Sequence, residues 1–473
     1  MRARISLTLA ASVVAAVTSL AATTGVSPAT AGAGAADEPF GAAARTITTT
    51  TTTGTTAGEY LQVGYFTQWG IYRRNFLVKD VHTSGMASLL THLHYAFANV
   101  NSDGLCFEVN EAGQGDAWAD YQKRFKANQS VDGVGDVFTQ PLAGNFNQLR
   151  KLKQMYPHLR VHLSIGGWTW SRFFSDAALT PESREAFVAS CVDLFIEGNL
   201  PILDDAPHGG PGSAFGVFDG IDLDWEWPAS EGNPHNVVRP EDRENYTALA
   251  AEFRRQLDLA GAAHGRHYAL TAFLPADPAK IAAGIEIGPL FDSLDFATIQ
   301  GYDLHGPWDP TTNHQSQLFS PPADPDPNRF SVDLAVQAYL TGGAPPGKVV
   351  VGIPYYGRGW TGVTNAGDGL YQGAGGPARG TFEDGVEDYK KLVTKKGNRF
   401  YDPVAGAHWL FDGRNFWSYD NLEVIAQKTA YVRAGGLGGT MVWSLDADTA
   451  NAELTTAIND GLGAATLPAM SPR

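Results

Sequence analysis

The chain has 473 residues, and its 43% hydrophobic and 18% charged residues are typical of a folded globular protein. A net charge of −16 at pH 7 argues against nucleic acid or an anionic membrane surface as a partner, because both would repel it. The 11 Trp and 17 Tyr provide many flat faces on which a ligand can stack.

The first 35 residues have the features of a secretory signal peptide. Arg2 and Arg4 give a basic start, residues 5–17 are largely apolar, and small-residue sites follow at 29–31 and 33–35. Residues 36–58 form a linker or tail in which nine of the eleven residues 46–56 are Thr, a composition that cannot build a core. We therefore expect a secreted, extracellular protein whose folded part covers residues 59–465.

The two cysteines of the sequence, Cys106 and Cys191, form neither a CxxC motif nor a zinc-binding spacing. They either pair as a disulfide in an oxidising compartment or remain two small buried thiols. The sequence leaves both alternatives open, and neither implies a disulfide scaffold.

Eight β-rich runs alternate with helical patterns along the folded part. The candidate strands are 61–69, 91–100, 159–166, 217–226, 267–274, 295–303, 348–356 and 439–445. Helical patterns occur at 180–194, 239–259 and 421–434, and the first of these opens on Thr-Pro-Glu-Ser, a helix start. This alternation predicts an α/β fold, a (β/α)8 TIM barrel, whose chemistry lies at the C-terminal ends of the strands.

Two connections are longer than one helix requires. The polar, Gly-rich stretch 100–140 indicates a loop excursion. Residues 361–416 indicate a small α+β domain inserted after the seventh strand, with a possible helix at 381–395. Because this insertion follows the C-terminal end of a strand, we expect it to form a wall beside the mouth of the barrel.

An acidic row lies on the fourth strand, within residues 218–228. Strand alternation places Asp222, Asp224 and Glu226 on one face, while Asp219 falls out of register and is expected to be structural. Like charges at this spacing, partly desolvated, cannot all stay ionised, so at least one pKa should be raised. A core does not need such a row, whereas acid catalysis does. The same alternation turns Trp225 and Trp227 toward the layer between barrel and helices.

Other polar and aromatic residues gather at the remaining strand ends. Apolar faces of sugar rings stack on aromatic side chains, and sugar hydroxyls bond to carboxylates. Of the tryptophans, we expect Trp360 and Trp443 to contact a ligand, while His92 and His94 fit core positions of the second strand. The residues that converge on the rim are Tyr65, Ser164, Trp168, Gln300, Tyr302, Asp303, Tyr356, Arg358, Trp360 and Trp443.

The order of these motifs resembles the glycoside hydrolase family 18 chitinases, of the bacterial type with an inserted α+β domain. The sequence DGIDLDWE at 219–226 matches the DxxDxDxE signature of that family. SIGG at 164–167, YD at 302–303, YYGR at 355–358 and the strand of Trp443 match it in the same order, and the resemblance covers nearly all of the chain from residue 60. One departure is Gln300, where many members carry Met.

The resemblance implies substrate-assisted catalysis, an exception to the usual pair of catalytic carboxylates. In the family, the residue matching Glu226 is the general acid, and the nucleophile is the carbonyl oxygen of the substrate's own acetamido group. Asp224 would orient that group, Tyr302 would bond its oxygen, and Asp222 would share a proton with Asp224.

By the same resemblance, the other rim residues would bind substrate. Asp303 and Arg358 would bond sugar hydroxyls near the scissile bond, and Trp443 would form the floor under a distorted sugar. Tyr65 and Ser164 would hold Asp222. The substrate-binding set is completed by Trp168, Tyr356 and Gln300.

The implied protein is a secreted, monomeric chitinase that cleaves chitin and chitooligosaccharides with retention of configuration and needs no metal or other cofactor. Three alternatives remain. The carboxylates could hold Mg²⁺ in a metal enzyme, although barrels usually draw metal ligands from successive strands. The protein could be a non-catalytic chitin-binding lectin, but such lectins replace the residue at Glu226. It could be an endo-β-N-acetylglucosaminidase acting on N-glycans, against which the inserted domain argues.

Overall fold

The structure is a computed structural model that describes residues 60–464. The predicted signal peptide, 1–35, and the Thr-rich segment, 36–58, lie outside the described residues.

The strands, numbered along the chain, are β1 Leu61–Thr67, β2 His92–Val100, β3 Cys106–Phe107, β4 Asn110–Glu111, β5 Gly115–Asp116, β6 Arg160–Gly166, β7 Gly220–Asp224, β8 Ala269–Leu274, β9 Phe296–Ile299, β10 Val349–Pro354, β11 Tyr356–Thr361, β12 Gly376–Pro377, β13 Val386–Asp388, β14 Asn398–Asp402, β15 Ala407–Phe411, β16 Phe416–Ser418 and β17 Gly439–Trp443. Eight of them are parallel and close into a barrel in the order β1-β17-β10-β9-β8-β7-β6-β2, and β2 pairs in turn with β1.

The predicted (β/α)8 barrel is confirmed, and each of the eight candidate strands overlaps one barrel strand. The acidic strand is shorter than predicted, since β7 ends at Asp224 and Glu226 lies just beyond it. This position is the C-terminal end of a barrel strand, where (β/α)8 enzymes carry their active sites.

The α-helices of the described residues are α1 Val78–Thr83, α2 Gly144–Met155, α3 Gly167–Trp170, α4 Phe174–Ala177, α5 Pro181–Cys191, α6 Asp242–His264, α7 Pro278–Gly284, α8 Ile287–Ser293, α9 Val332–Thr341, α10 Tyr389–Leu392, α11 Leu422–Ala434 and α12 Glu453–Leu462. The longer ones cover the outside of the barrel, whereas α3 lines the cavity and α10 follows β13 in the insertion. The predicted helix start at Thr180 is confirmed. Thr180 is the N-cap of α5, and its Oγ1 accepts the Ser183 N–H at 3.1 Å. In the described residues no helix has the length and apolarity required to cross a membrane.

Two apolar layers result from the alternation of the strands. A large core lies between the barrel and its helices and includes Leu163, Ile221 and Leu223. A second, smaller cluster fills the barrel interior with Val63, Phe296 and Met441. The inward positions nearer the C-terminal strand ends carry polar side chains, so the functional site lies on top of a packed interior.

A second sheet, β11 to β16, stands after the seventh barrel strand and consists of antiparallel pairs. It begins at Tyr356, earlier than the predicted insertion at 361. The predicted helix at 381–395 is wrong, because β13 and the four-residue α10 occupy that stretch. Gly385, with φ +83°, ends the preceding turn there, and β13 then bonds to β11.

A disulfide joins Cys106 on β3 to Cys191 at the end of α5. It settles the alternative that the sequence left open. The bond links residues 85 positions apart and ties the loop excursion to the barrel's helical layer. Cross-links over loops of this length stabilise a fold by about 2–5 kcal/mol.

Candidate active site

A cavity of about 1890 Å³ opens over the C-terminal ends of the barrel strands. Carboxyl groups lie at its floor and aromatic rings along its walls. The loop excursion supplies part of one wall, and the insertion supplies residues of another, as predicted from its position after the seventh strand. Lining residues include Trp69, Tyr72, Trp118, Trp168, Asp224, Glu226, Lys280, Gln300, Tyr302, Asp303, Trp308, Tyr356, Arg358 and Trp443.

Asp222 lies beneath the cavity floor and is fully buried. Tyr65 and Ser164 donate hydrogen bonds to its Oδ2 at 2.6 and 2.7 Å, and Thr271 donates to its Oδ1 at 2.7 Å. Burial alone would raise the pKa of this carboxyl, but His94 and the hydroxyl donors outweigh burial and lower it. Asp222 is therefore the ionised member of the row.

Asp224 and Glu226 form a hydrogen-bonded pair of carboxyls above it. Burial raises the pKa of Asp224 well above its usual value, and the charges of Glu226 and Asp222 raise it further. Burial, followed by the charge of Asp303, raises the pKa of Glu226 to about 8. The expected pKa elevation is thus concentrated on this pair, which holds protons at neutral pH.

The backbone around this pair is fixed by close contacts. Ser171 Oγ donates to the Asp224 carbonyl at 3.0 Å and accepts the Glu226 N–H at 2.9 Å. Asn236 donates to the Glu226 carbonyl at 2.6 Å. Gly166, with φ +106°, lies so near that a Cβ there would sit 2.3 Å from the Asp224 carbonyl oxygen. The first glycine of the pair in SIGG therefore permits this approach.

Asp303 and Arg358 bind each other at the cavity wall. Arg358 donates from Nε and Nη2 to the two carboxylate oxygens at 2.7 and 2.6 Å, and Tyr356 donates to Oδ1 at 2.6 Å. All three line the cavity. Arg358 also lies over the ring of Trp308, 5.0 Å from its centroid.

Aromatic side chains complete the floor and the entrance. Trp443 stacks on Phe97 with ring centroids 5.6 Å apart, beside Tyr65. Tyr302 stacks on Phe273, and burial raises the pKa of its phenol well above the usual value, so it remains a neutral donor. Trp168 is 49% exposed at the rim. Gln300 lines the cavity, and its Oε1 accepts the Ala276 N–H at 3.4 Å.

Two expectations differ from the structure. Trp360 is fully buried in the second sheet and donates to the Asp309 carbonyl, so it does not reach the cavity. Trp227 lines the cavity against Phe273, because β7 ends at Asp224 and strand alternation stops before it. The sharing of a proton between Asp222 and Asp224 stays a prediction. Trp225 packs between barrel and helices as predicted.

Several site residues were not predicted as such. Thr271 lies opposite Asp222 in the β7–β8 register, as Ser164 does in the β6–β7 register. The sequence shows Thr271 only as an inward-facing hydroxyl on the fifth barrel strand. The register between β7 and β8 is needed to see that it contacts Asp222. The exposed stacked pair Tyr72 and Trp118 belongs to loops whose path the sequence does not define.

Among residues 60–464, no three His, Cys, Asp or Glu side chains are grouped so that they could hold a metal ion.

Comparisons with a family model and with curated proteins point to the same family. Residues 62–448 match the Glycosyl hydrolases family 18. The chain is 37% identical to Chitinase A1 of Niallia circulans over 429 residues, covering 83% of this chain and 57% of the relative. It is 40% identical to Chitinase 63 of Streptomyces plicatus over 411 residues, covering 86% of this chain and 61% of the relative. The chain thus spans about three fifths of the length of these curated relatives.

Among solved structures, the catalytic domain of psychrophilic chitinase B from Arthrobacter TAD20 is similar, with a TM-score of 0.83 and 48% identity. The similarity covers 87% of this chain and 97% of that domain. Fold, order of motifs and family match therefore agree: the chain belongs to glycosyl hydrolase family 18.

Proposed function

We propose that this protein is a secreted chitinase that hydrolyses β-1,4-linked N-acetylglucosamine polymers with retention of configuration, by substrate-assisted catalysis. The observation that carries the proposal is the hydrogen-bonded carboxyl pair of Asp224 and Glu226 on the floor of a long, aromatic cavity. The names of the curated relatives and of the similar solved domain support the same substrate class.

Glu226 is the proton donor in this mechanism. Its raised pKa, about 8, keeps the carboxyl protonated near neutral pH, as a general acid requires. Glu226 gives its proton to the glycosidic oxygen while the bond from that oxygen to C1 breaks. The acetamido carbonyl oxygen of the same sugar forms a bond to C1, which yields an oxazolinium intermediate. Water then adds to C1 and opens the oxazolinium ring, and the Glu226 carboxylate takes a proton from that water.

The neighbouring carboxyls are poorly placed to act as an enzymic nucleophile. Asp224 forms a hydrogen bond with Glu226, the proton donor of the proposed mechanism. In a retaining enzyme with two catalytic carboxylates, the proton donor and the nucleophile lie roughly 5–5.5 Å apart and flank the glycosidic bond. Asp303 is occupied by Arg358 and Tyr356. This arrangement supports a nucleophile supplied by the substrate.

Asp224 and Tyr302 serve the acetamido group in this scheme. Asp224 carries an oxygen, Oδ1, without a hydrogen-bond partner, which can accept the acetamido N–H. The neutral phenol of Tyr302 faces the same cavity and can donate to the acetamido oxygen. The negative charge of Asp222 beneath them stabilises the positive charge of the oxazolinium ring.

Other features support the proposed substrate class and location. Exposed rings along the cavity, Trp69, Trp118, Trp168 and Trp308, suit the apolar faces of successive sugars in a polymer. A compact N-glycan core would use fewer of them. The Cys106–Cys191 disulfide suits an oxidising, extracellular compartment, in agreement with the signal-like N-terminus.

The proposal is tested by incubating the purified protein with chitohexaose, colloidal chitin and a high-mannose glycopeptide, with products followed by mass spectrometry. Shorter chitooligosaccharides are expected from the first two, and Glu226→Gln serves as the inactive control. Intact chitohexaose, or cleavage of the glycopeptide alone, would overturn the assignment. Proton NMR of the first product should show the β-anomer, and an initial α-anomer would exclude retention.

A further inference from the structure

Two fully buried imidazoles lie under the acidic row in the barrel interior. His94 on β2 and His162 on β6 pair in register, one inward-facing layer nearer the N-terminal strand ends than Asp222 and Ser164. Their rings stack with centroids 5.0 Å apart, and Phe296 packs against both. The mechanism proposed above uses neither histidine.

The two rings differ in what they contact. Nδ1 of His94 lies 3.4 Å from Oδ2 of Asp222, a long contact whose character is mainly electrostatic. None of the four ring nitrogens of His94 and His162 has a hydrogen-bond partner among the described residues, so the contact of His94 Nδ1 with Asp222 is not counted as a hydrogen bond. A buried polar atom without a partner costs about 1–3 kcal/mol, so two apolar rings would fill this space more stably. Packing alone does not explain the layer.

Among the buried histidines of this layer, His94 is the one that contacts the Asp222 carboxylate. Burial lowers the pKa of His162 well below its usual value and that of His92 to about 3, so both rings are neutral. Burial raises the phenol pKa values of Tyr65 and Tyr246, which also remain neutral. The titratable groups facing His94 and Asp222 are Tyr65 on β1, His92 on β2, His162 on β6 and Asp224 on β7. Tyr246 on α6 lies in the layer between barrel and helices, against Trp225.

We propose that His94 is a positioning residue of the catalytic row, whose N–H edge faces Asp222 and keeps that carboxyl ionised. The hydroxyls of Tyr65, Ser164 and Thr271 orient the carboxylate, and His94 adds a fourth favourable interaction from below. The retained negative charge then favours the protonated form of Asp224 above it. The inference rests on the proposed function, because it concerns the protonation pattern which that reaction uses.

The experiment measures the pH dependence of kcat/KM on a soluble chromogenic chitooligosaccharide. His94→Phe keeps the ring and its stacking but removes the N–H. We expect the acid limb to move up by about one pH unit, since loss of a favourable partner raises a carboxyl pKa by about that amount. On the acid side, kcat/KM falls by up to about tenfold relative to its own maximum.

Two further variants separate positioning from packing. His94→Asn returns an N–H donor near the position of Nδ1, so its acid limb should lie closer to wild type than to His94→Phe. His162→Phe makes the same ring change one strand away, without a contact to Asp222, and should leave the limb in place. A purely structural role would lower the whole profile without moving it. Thermal unfolding monitors the fold, and His94→Leu replaces His94→Phe if the latter does not fold.

An unmoved acid limb in a folded, active His94→Phe overturns the inference alone. An equal shift in His162→Phe, or a shift in His94→Asn as large as in His94→Phe, overturns it as well. Absence of wild-type turnover on the same substrate would instead overturn the proposed function, and the inference with it.

Discussion

Arg358 donates two hydrogen bonds to Asp303, one to each carboxylate oxygen, at 2.7 and 2.6 Å. Bidentate pairing of this kind fixes the orientation of a carboxylate. The charge of Asp303 is, after burial, the main cause of the raised pKa of Glu226. Asp303, which the sequence indicates as a sugar-binding residue, therefore also raises the pKa of Glu226, the proposed general acid.

Asp303→Asn is expected to move the basic limb of the kcat/KM profile to lower pH. Removal of a negative neighbour lowers the pKa of Glu226 from about 8, so this proposed general acid loses its proton at a lower pH. The shift should be about one pH unit or less. Glu383→Gln, an exposed acid lining the same cavity, should leave the limb unchanged. Equal shifts in both variants would point to a general field effect instead.

Glu226→Gln should abolish turnover while substrate binding survives. An amide keeps the shape of the side chain but has no acidic proton, and general acid catalysis contributes about 10²–10⁴-fold. Initial rates on chitohexaose and calorimetric titration with chitotetraose measure the two effects. A variant with wild-type turnover would reassign the proton donor.

Asp224→Ala should lower kcat although Glu226, and not Asp224, is the proposed proton donor. Its carboxyl is expected to hold the acetamido group of the substrate, and its partner Glu226 loses a hydrogen bond. The measurement compares kcat on two substrates, one with the acetamido oxygen and one without it. The ratio of the two kcat values should be smaller for Asp224→Ala than for wild type. Unchanged kcat on chitooligosaccharides would argue against substrate assistance.

The barrel and the acidic row could be predicted from the sequence because both depend on local alternation. Asp222, Asp224 and Ser164 face inward for that reason alone. The contacts of Thr271 and His94 with Asp222 could not be predicted, since they depend on the register between strands distant in the chain. Trp360 and Trp227 were misplaced for a related reason, because neither lies on a continuous barrel strand.

Trp118→Ala is expected to weaken the binding of long substrates more than that of short ones. Trp118 is 41% exposed and stacks on Tyr72 at the cavity rim, away from the acidic pair in sequence and on another loop. Loss of one stacked sugar should cost about 1 kcal/mol, or roughly fivefold in KM for chitohexaose. Chitotriose kinetics should change little. Phe215→Ala, an exposed ring outside the cavity, is the matched control.

Loss of the Cys106–Cys191 disulfide should reduce the free energy of unfolding by about 2–5 kcal/mol, because an 85-residue separation is no longer constrained in the unfolded chain. Urea unfolding of the double Cys→Ala variant measures this loss. Reductant should lower the wild-type midpoint toward that of the variant and leave the variant unaffected. Equal midpoints for the two proteins would contradict the stabilising role.

His314 and His408 should make the fold less stable in acid. Burial lowers the pKa of each from 6.5 to about 4, and neither lies in the acidic row. Between these pH values the unfolded chain binds the protons and the folded chain does not. Stability is therefore retained above pH 6.5 and falls with decreasing pH, by up to about 1.4 kcal/mol per pH unit for each ring.

His314→Phe isolates one of these contributions, because the new ring can keep the packing against Trp409, whose centroid lies 5.1 Å away. Urea unfolding at pH 7, 6 and 5 should show a smaller loss of stability for this variant than for wild type. His235→Phe, at an exposed position, should follow the wild-type slope. Parallel slopes for wild type and His314→Phe would show that His314 takes up its proton in the folded state as readily as in the unfolded one.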